Sequence, residues 1–334
     1  MSNHGRYNSL TDVAGLIVGQ FTDRKAASGV TVVICKESAV AGVDVRGAAP
    51  GTRETDLLAP VNLVDRIQAI VLSGGSVYGL SASDGVVRWL SKKGIGFPLD
   101  DAHVAPIVPA AVIFDLGRGE TFIPPIDDTW GWAACEAAKD GPVFEGCVGA
   151  GTGAVSGTIK GGLGSASWIT GDGITVAALI AVNSLGSIVD PASGEIWESR
   201  LETGGEFAEQ GKRKVHLPAP VEPAPARNTT IGVVATDAIL TKAQAQKVAQ
   251  MAQDGLARAI RPAHTMFDGD TLFCVATGKK ELPETKGVFA GGQAQSLNEI
   301  GHAASNCVAR AIIRGVLAAT ALKPFKAFRD LERR

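Results

Sequence analysis

Short apolar runs broken by glycine, proline and small polar residues dominate the chain, and they predict buried strands rather than surface helices. Val30-Thr-Val-Val-Ile-Cys35 and Val40-Ala-Gly-Val-Asp-Val45 predict two early strands joined by a short connection. Ile67-Gln-Ala-Ile-Val-Leu72, Pro106 to Asp115 and Thr175 to Asn183 predict three more. Between them the period lengthens to that of a helix from about Leu80 to Lys92, with Gly94 as its C-cap, and again around Trp130 to Lys139. In the last third a strand starts at Ile231, a helix follows from Leu240 to Ile260 with Thr241 as N-cap and Pro262 as stop, and a strand runs from Asp268 to Thr277. Ser296-Leu-Asn-Glu299 reads as a capping box opening a final helix that runs through Ile300 to Leu322. Strands alternating with helices make this an α/β chain.

One junction breaks the pattern. Residues 216–228 form a proline-rich linker, expected to be extended and exposed, that ends abruptly at Asn228-Thr229-Thr230 and the buried run Ile231-Gly-Val-Val. A threonine therefore stands at the mouth of a sheet. Its hydroxyl becomes a useful nucleophile when a base lies beside it, and a free amine on the same residue is one known solution. Cutting Asn228-Thr229 would create that amine, which titrates near pH ~8, and the β-branch restricts the hydroxyl to few directions. The plainer reading is a strand start after a linker. Asn228-Thr229-Thr230 also fits a glycosylation acceptor, which matters only in a secreted chain.

Composition narrows the classes. A chain of 334 residues can hold one large domain with an internal linker, divided at the junction into residues 1–228 and 229–334. A formal charge of -2 gives no footprint for nucleic acid or an anionic membrane. The five cysteines are scattered and odd in number, a reduced, intracellular pattern, and the first residues lack the apolar core of a secretory signal, so a cytoplasmic enzyme is expected. Isolated histidines and the absence of His-x-x-x-His argue against a metal, and no cofactor motif survives inspection. Ser73-Gly-Gly-Ser76 suits a tight turn better than a phosphate cradle, and Gly149-Ala-Gly-Thr-Gly-Ala154 is followed by neither a helix pattern nor a closing acidic residue.

Other candidates remain two-sided at this level. Asn183, at the end of a strand, suits an oxyanion donor or a turn. Asp268-Gly-Asp270 suits a local turn or a catalytic pair.

Asn228-Thr-Thr-Ile followed by Asp268-Gly-Asp-Thr-Leu-Phe-x-Val-Ala-Thr-Gly resembles the L-aminopeptidase D-amidase/esterase family, which includes nylon-oligomer endohydrolases. Gly29-Val-Thr-Val-Val, Ala41-Gly-Val-Asp-Val-Arg-Gly, Pro50-Gly-Thr-Arg-Glu-Thr-Asp-Leu-Leu, Leu72-Ser-Gly-Gly-Ser and Ala111-Val-Ile-Phe-Asp extend the likeness over nearly the whole chain. The resemblance implies an α/β/β/α sandwich of the N-terminal-nucleophile kind, a precursor that cuts itself into two pieces, and a homotetramer. It also implies amide hydrolysis by Thr229, with Lys160 and Asn183 as polar neighbours and Asp268 and Asp270 as the acidic pair. Phe114 stands where the nylon-oligomer branch has tyrosine. The acidic pair points away from members that trim β-amino acids, which carry Ser and Glu there.

The substrate expected on this likeness is a linear oligoamide of 6-aminohexanoate units, with small peptide amides and esters beside it. Alternatives are an aminopeptidase without oligoamide activity, an acyltransferase of the ornithine acetyltransferase type, and an unprocessed binding protein.

Overall fold

The computed structural model describes residues 3–220, 228–284 and 292–334. Most of the proline-rich linker, residues 221–227, lies outside them. Nine strands form one hydrogen-bonded sheet: β1 (Leu16–Asp23), β2 (Ser28–Val45), β3 (Thr52–Arg53), β4 (Arg66–Ser73), β5 (Ala110–Val112), β6 (Gly162–Ile169), β7 (Thr175–Val182), β8 (Ile231–Ala238) and β9 (Thr271–Lys280). Their order is β6-β7-β8-β9-β2-β4-β5-β3, with β1 paired to β2. The β8/β9 and β4/β5 pairs are parallel, the others antiparallel. Four helices complete the frame: α1 (Ala82–Lys92), α2 (Asp128–Glu136), α3 (Lys242–Ala259) and α4 (Ala294–Ala318).

Alternation along the strands sorts the core into three apolar layers. Val176, Ala178, Ile180 and Val182 of β7 pack with α3 and α4, while Ala177, Leu179 and Ala181 face the other way. β8 and β9 alternate likewise, with Val234 and Leu272 toward the helices and Val233 and Phe273 toward the middle. That middle layer takes Val33 of β2, Ile70 and Leu72 of β4 and Ala111 of β5. The adjacent residues Val32, Ala69, Val71 and Ala110 turn outward to meet Val86 of α1 and Trp130 of α2. Helix, sheet, sheet, helix is the stacking order, the α/β/β/α sandwich expected.

β2 lets one hydrogen-bonded sheet fill both inner layers. It is a single strand of 18 residues rather than the two expected. Its first half pairs with β1 over 28–35 and its last part with β9 over 40–45. The register against β4 shifts between Ile34 and Ala39, where Lys36 and Glu37 are exposed. A bulge of this kind bends a strand without ending it.

Other boundaries moved for steric reasons. The strand expected over 106–115 keeps ladder pairing only at Ala110–Val112. α4 opens at Ala294, two residues before the expected cap, with Gln293 at the N-cap position and no side-chain cap, and the hydroxyl of Ser296 inside the helix donates to the Pro283 carbonyl (3.1 Å). β6 carries no apolar run and escapes a pattern reading. Its glycines let α4 lie against bare backbone: a Cβ on Gly164 would stand 2.1 Å from the Ala311 carbonyl oxygen. Among the described residues no helix is long and apolar enough to cross a membrane.

Candidate active site

Four chain segments meet at one end of the sheet: the exit of β7 at Asn183, the lead-in to β8 at Asn228 to Thr230, the lead-in to β9 at Asp268 to Asp270, and the exit of β2 at Arg46 to Ala49. Parallel pairing of β8 and β9 is the cause, since it puts both lead-ins side by side. Asn228 and Asp268 form a parallel bridge, and the amide of Thr271 donates to the Thr230 carbonyl (3.1 Å). The amides of Arg46 (3.0 Å) and Ala49 (2.9 Å) donate to the carbonyls of Asp270 and Asp268.

Thr229 is almost fully buried there, with 5% of its surface exposed. Its amide donates to the backbone carbonyl of Asn183 (2.5 Å), and its hydroxyl donates to the carbonyl oxygen of Asn228 (2.5 Å). That same oxygen accepts the amide of Gly269 (3.2 Å). The carbonyl ahead of Thr229 thus lies against the threonine hydroxyl and an N–H donor together.

Asp268 and Asp270 are buried, but neither bonds Thr229 directly. Asp268 accepts the Thr265 hydroxyl (2.5 Å) and amide (3.1 Å) and the Leu185 amide (3.2 Å). Burial pushes its carboxyl above the ordinary range; the Thr265 bond opposes that, and the neighbouring Asp270 charge adds to it. Asp270 accepts the Thr230 amide (2.8 Å) on one oxygen, and on the other the His264 amide (3.0 Å) and ring Nδ1 (2.9 Å). His264 takes a left-handed backbone (φ 54°), a costly conformation held by those two bonds. Asp270 therefore braces Thr230, the residue after Thr229, while Asp268 holds the Thr265 and Leu185 segments beside it.

Asn183 ends β7 with its side-chain oxygen held by the Arg118 guanidinium (2.8 Å) and the Val155 amide (3.0 Å). Its Nδ2 donates to the Phe114 carbonyl (3.2 Å). Lys160 is fully buried and donates to the carbonyls of Ala154 (2.6 Å), Gly161 (2.8 Å) and Gly151 (3.1 Å). Burial pushes its ammonium down to about 8, which still leaves it protonated at neutral pH. Those three bonds knit the glycine-rich segment that presents Val155 to Asn183. Lys160 thus stands one shell behind Thr229 and does not pair with the acidic residues.

A cavity of about 400 Å³ opens onto Thr229 and Asn228, walled by Pro50, Val77, Leu80, Val112, Phe114 and Phe267 among others. No charged side chain lines it among the described residues. The backbone amides of the nearby Ser73-Gly74-Gly75 turn are taken up within the protein: Gly75 donates to the buried Asp115 carboxylate (2.6 Å), Gly74 to the Gly29 carbonyl (2.9 Å) and Ser76 to the Ile113 carbonyl (2.9 Å). Among the described residues no group of side chains could hold a metal ion.

No local pattern along the chain singles out Arg118, Thr265 or Gly269. Gly269 carries a steric signal visible only in three dimensions, since a Cβ there would sit 2.8 Å from the Thr229 hydroxyl oxygen and 2.5 Å from the Ala49 carbonyl oxygen.

Comparisons with known proteins bear on the family and the fold. The model of peptidase family S58 matches residues 8–328. An uncharacterized aminopeptidase of Mycobacterium leprae is 47% identical over 335 residues, covering 93% of this chain and 91% of its own. A 6-aminohexanoate-oligomer endohydrolase of Kocuria sp. is 31% identical over 323 residues, covering 92% and 86%. The β-aminopeptidase of Burkholderia sp. superposes with a TM-score of 0.72 at 24% identity, over 96% of this chain and 89% of its own. The L-aminopeptidase D-Ala-esterase/amidase of Ochrobactrum anthropi, described as a variant of the Ntn hydrolase fold, also gives 0.72, at 22% identity over 100% and 92%. The chain belongs to peptidase family S58 and is a hydrolase of amide bonds on an N-terminal-nucleophile fold.

Proposed function

We propose that Thr229 cuts the bond before it and then serves, as a new N-terminus, as the nucleophile of an amidase for linear oligoamides. The observation that carries the reading is the 2.5 Å contact of the Thr229 hydroxyl with the Asn228 carbonyl, which also accepts the Gly269 amide (3.2 Å). The hydroxyl oxygen attacks that carbonyl carbon, and Gly269 stabilises the developing oxyanion. The C–N bond breaks, the nitrogen takes the proton, and water opens the resulting ester to leave an Asn228 carboxylate and a Thr229 amine. The Asn183 carbonyl, already 2.5 Å from that nitrogen, holds the amine in place as base.

In the mature enzyme the same hydroxyl attacks a substrate amide, the amine leaves, and water releases the acid. The Asn183 amide is the side-chain oxyanion donor, Asp268 and Asp270 hold the flanking backbone, and Lys160 holds the glycine-rich segment. The uncharged wall of the cavity favours substrates read through amide groups and methylenes, each methylene worth ~0.8 kcal/mol when buried.

The test offers 6-aminohexanoate trimers to pentamers beside alanine and glycine p-nitroanilides, to wild type and to Thr229→Ala. Wild type is expected to run as two bands on a denaturing gel, the smaller beginning Thr-Thr-Ile, and to favour longer oligomers in kcat/KM. Thr229→Ala should stay whole and inactive. An intact yet fully active wild type overturns the nucleophile, and hydrolysis confined to the p-nitroanilides replaces the oligoamide reading with that of an aminopeptidase.

A further inference from the structure

We infer that Arg118 is a positioning residue that sets the direction of the Asn183 side-chain amide; the inference rests on the proposed role of Asn183. An asparagine amide can flip, exchanging its oxygen for its NH2 at nearly the same shape, and only its hydrogen-bond partners decide which faces the reaction. At Asn183 the oxygen sits between two donors, the Arg118 guanidinium (2.8 Å) and the Val155 amide (3.0 Å). Both would face an NH2 group if the amide turned over, so the flipped state loses two hydrogen bonds and opposes donor to donor. The NH2 is thereby directed to the opposite side, where it meets the carbonyl of Phe114, a residue of the cavity wall.

Arg118 is itself anchored. Its NH1 also donates to the Gly153 carbonyl (2.5 Å), and its guanidinium lies over the Phe325 ring, 5.7 Å from the centroid. It therefore ties the loop after β5, the glycine-rich segment and the exit of β7 to one orientation. Val155 alone offers a single neutral bond to the oxygen, whereas a charged donor is roughly twice as strong. Removing Arg118 removes the stronger of these two restraints on the oxygen.

The test is a double-mutant cycle on purified enzyme, with the p-nitroanilide or oligoamide that wild type hydrolyses as substrate and self-cleavage timed on denaturing gels. Arg118→Met should lower kcat by roughly 10²-fold, the size of one lost oxyanion donor, with KM within about twofold and the melting temperature tracked beside it. Arg118→Lys, which keeps one charged N–H, should recover part of that loss. In an Asn183→Ala background, Arg118→Met should cost nothing further, because the amide it orients is gone. Equal losses in both backgrounds, or a loss carried wholly by KM, overturn the proposal. Activity retained in Thr229→Ala would instead sink the nucleophile reading, whatever the cycle gave.

Discussion

A carboxylate taken out of water is costly to ionise, and Asp268 meets that cost with 1% of its surface exposed and Asp270 beside it. Its folded pKa is raised, so between the ordinary carboxylate value of ~3.9 and that raised value the folded chain holds a proton that the unfolded chain has lost. Stability therefore falls as pH rises through that window and stays lower above it. Asp268→Asn removes the charge but turns an NH2 toward either the Leu185 or the Thr265 amide, so its melting temperature is expected to vary less with pH across that window than that of the wild type. The same substitution should lower turnover by roughly 10²-fold, the cost of shifting a reacting group by about an ångström. Melting curves across pH, read beside kcat, check both halves. A turn residue would lose the pH dependence of stability without the loss of turnover.

At the level of elements, the lead-in to β9 works because Gly269 leaves room between two carboxylates. The Ala49 carbonyl and the Thr229 hydroxyl oxygen close in at 2.5 and 2.8 Å from where a Cβ would stand. The Ala49 segment has little freedom to retreat, since its amide donates to the Asp268 carbonyl (2.9 Å). Gly269→Ala is expected to stop self-cleavage and to cost ~1–3 kcal/mol of stability, the range for overpacking. A denaturing gel and a urea melt of the purified variant test this; a variant that processes at the wild-type rate would show that the lead-in can shift. At this scale the sequence was readable where apolar runs were long. β7 matched Thr175 to Val182, and α3 carries Thr241 as N-cap with the reciprocal Gln244 bond. It was unreadable at β6, where glycine serves helix packing and leaves no apolar signature.

Over the whole molecule, the proposed cut divides the sequence without dividing the core. β8 lies between β7 and β9, and β9 between β8 and β2, so residues from either side of Asn228-Thr229 pair along two ladders. The middle and the α3/α4 layers likewise draw on both sides. The two pieces are expected to stay together through gel filtration and part only in denaturant. Native mass spectrometry would read this, and would read at the same time whether four copies assemble. Free separation of the pieces in dilute buffer would contradict it.

The sequence by itself determined the α/β class, most buried strands, the threonine at a linker-to-strand junction and the candidate residues Asn183, Asp268, Asp270 and Lys160. Most are local signals, such as apolar periodicity, a run of prolines or a motif at fixed spacing, whereas Lys160 came only through the family resemblance. Tertiary structure alone decided what those residues touch. Asp268 and Asp270 came to hold backbone beside Thr229 because β8 and β9 pair in parallel, and Lys160 became a clamp on three carbonyls because its segment turns back antiparallel on Val155 and Ser156. Arg118, His264 and Gly269 joined the site through contacts between segments far apart in the chain, and no pattern along one segment encodes a distance to another.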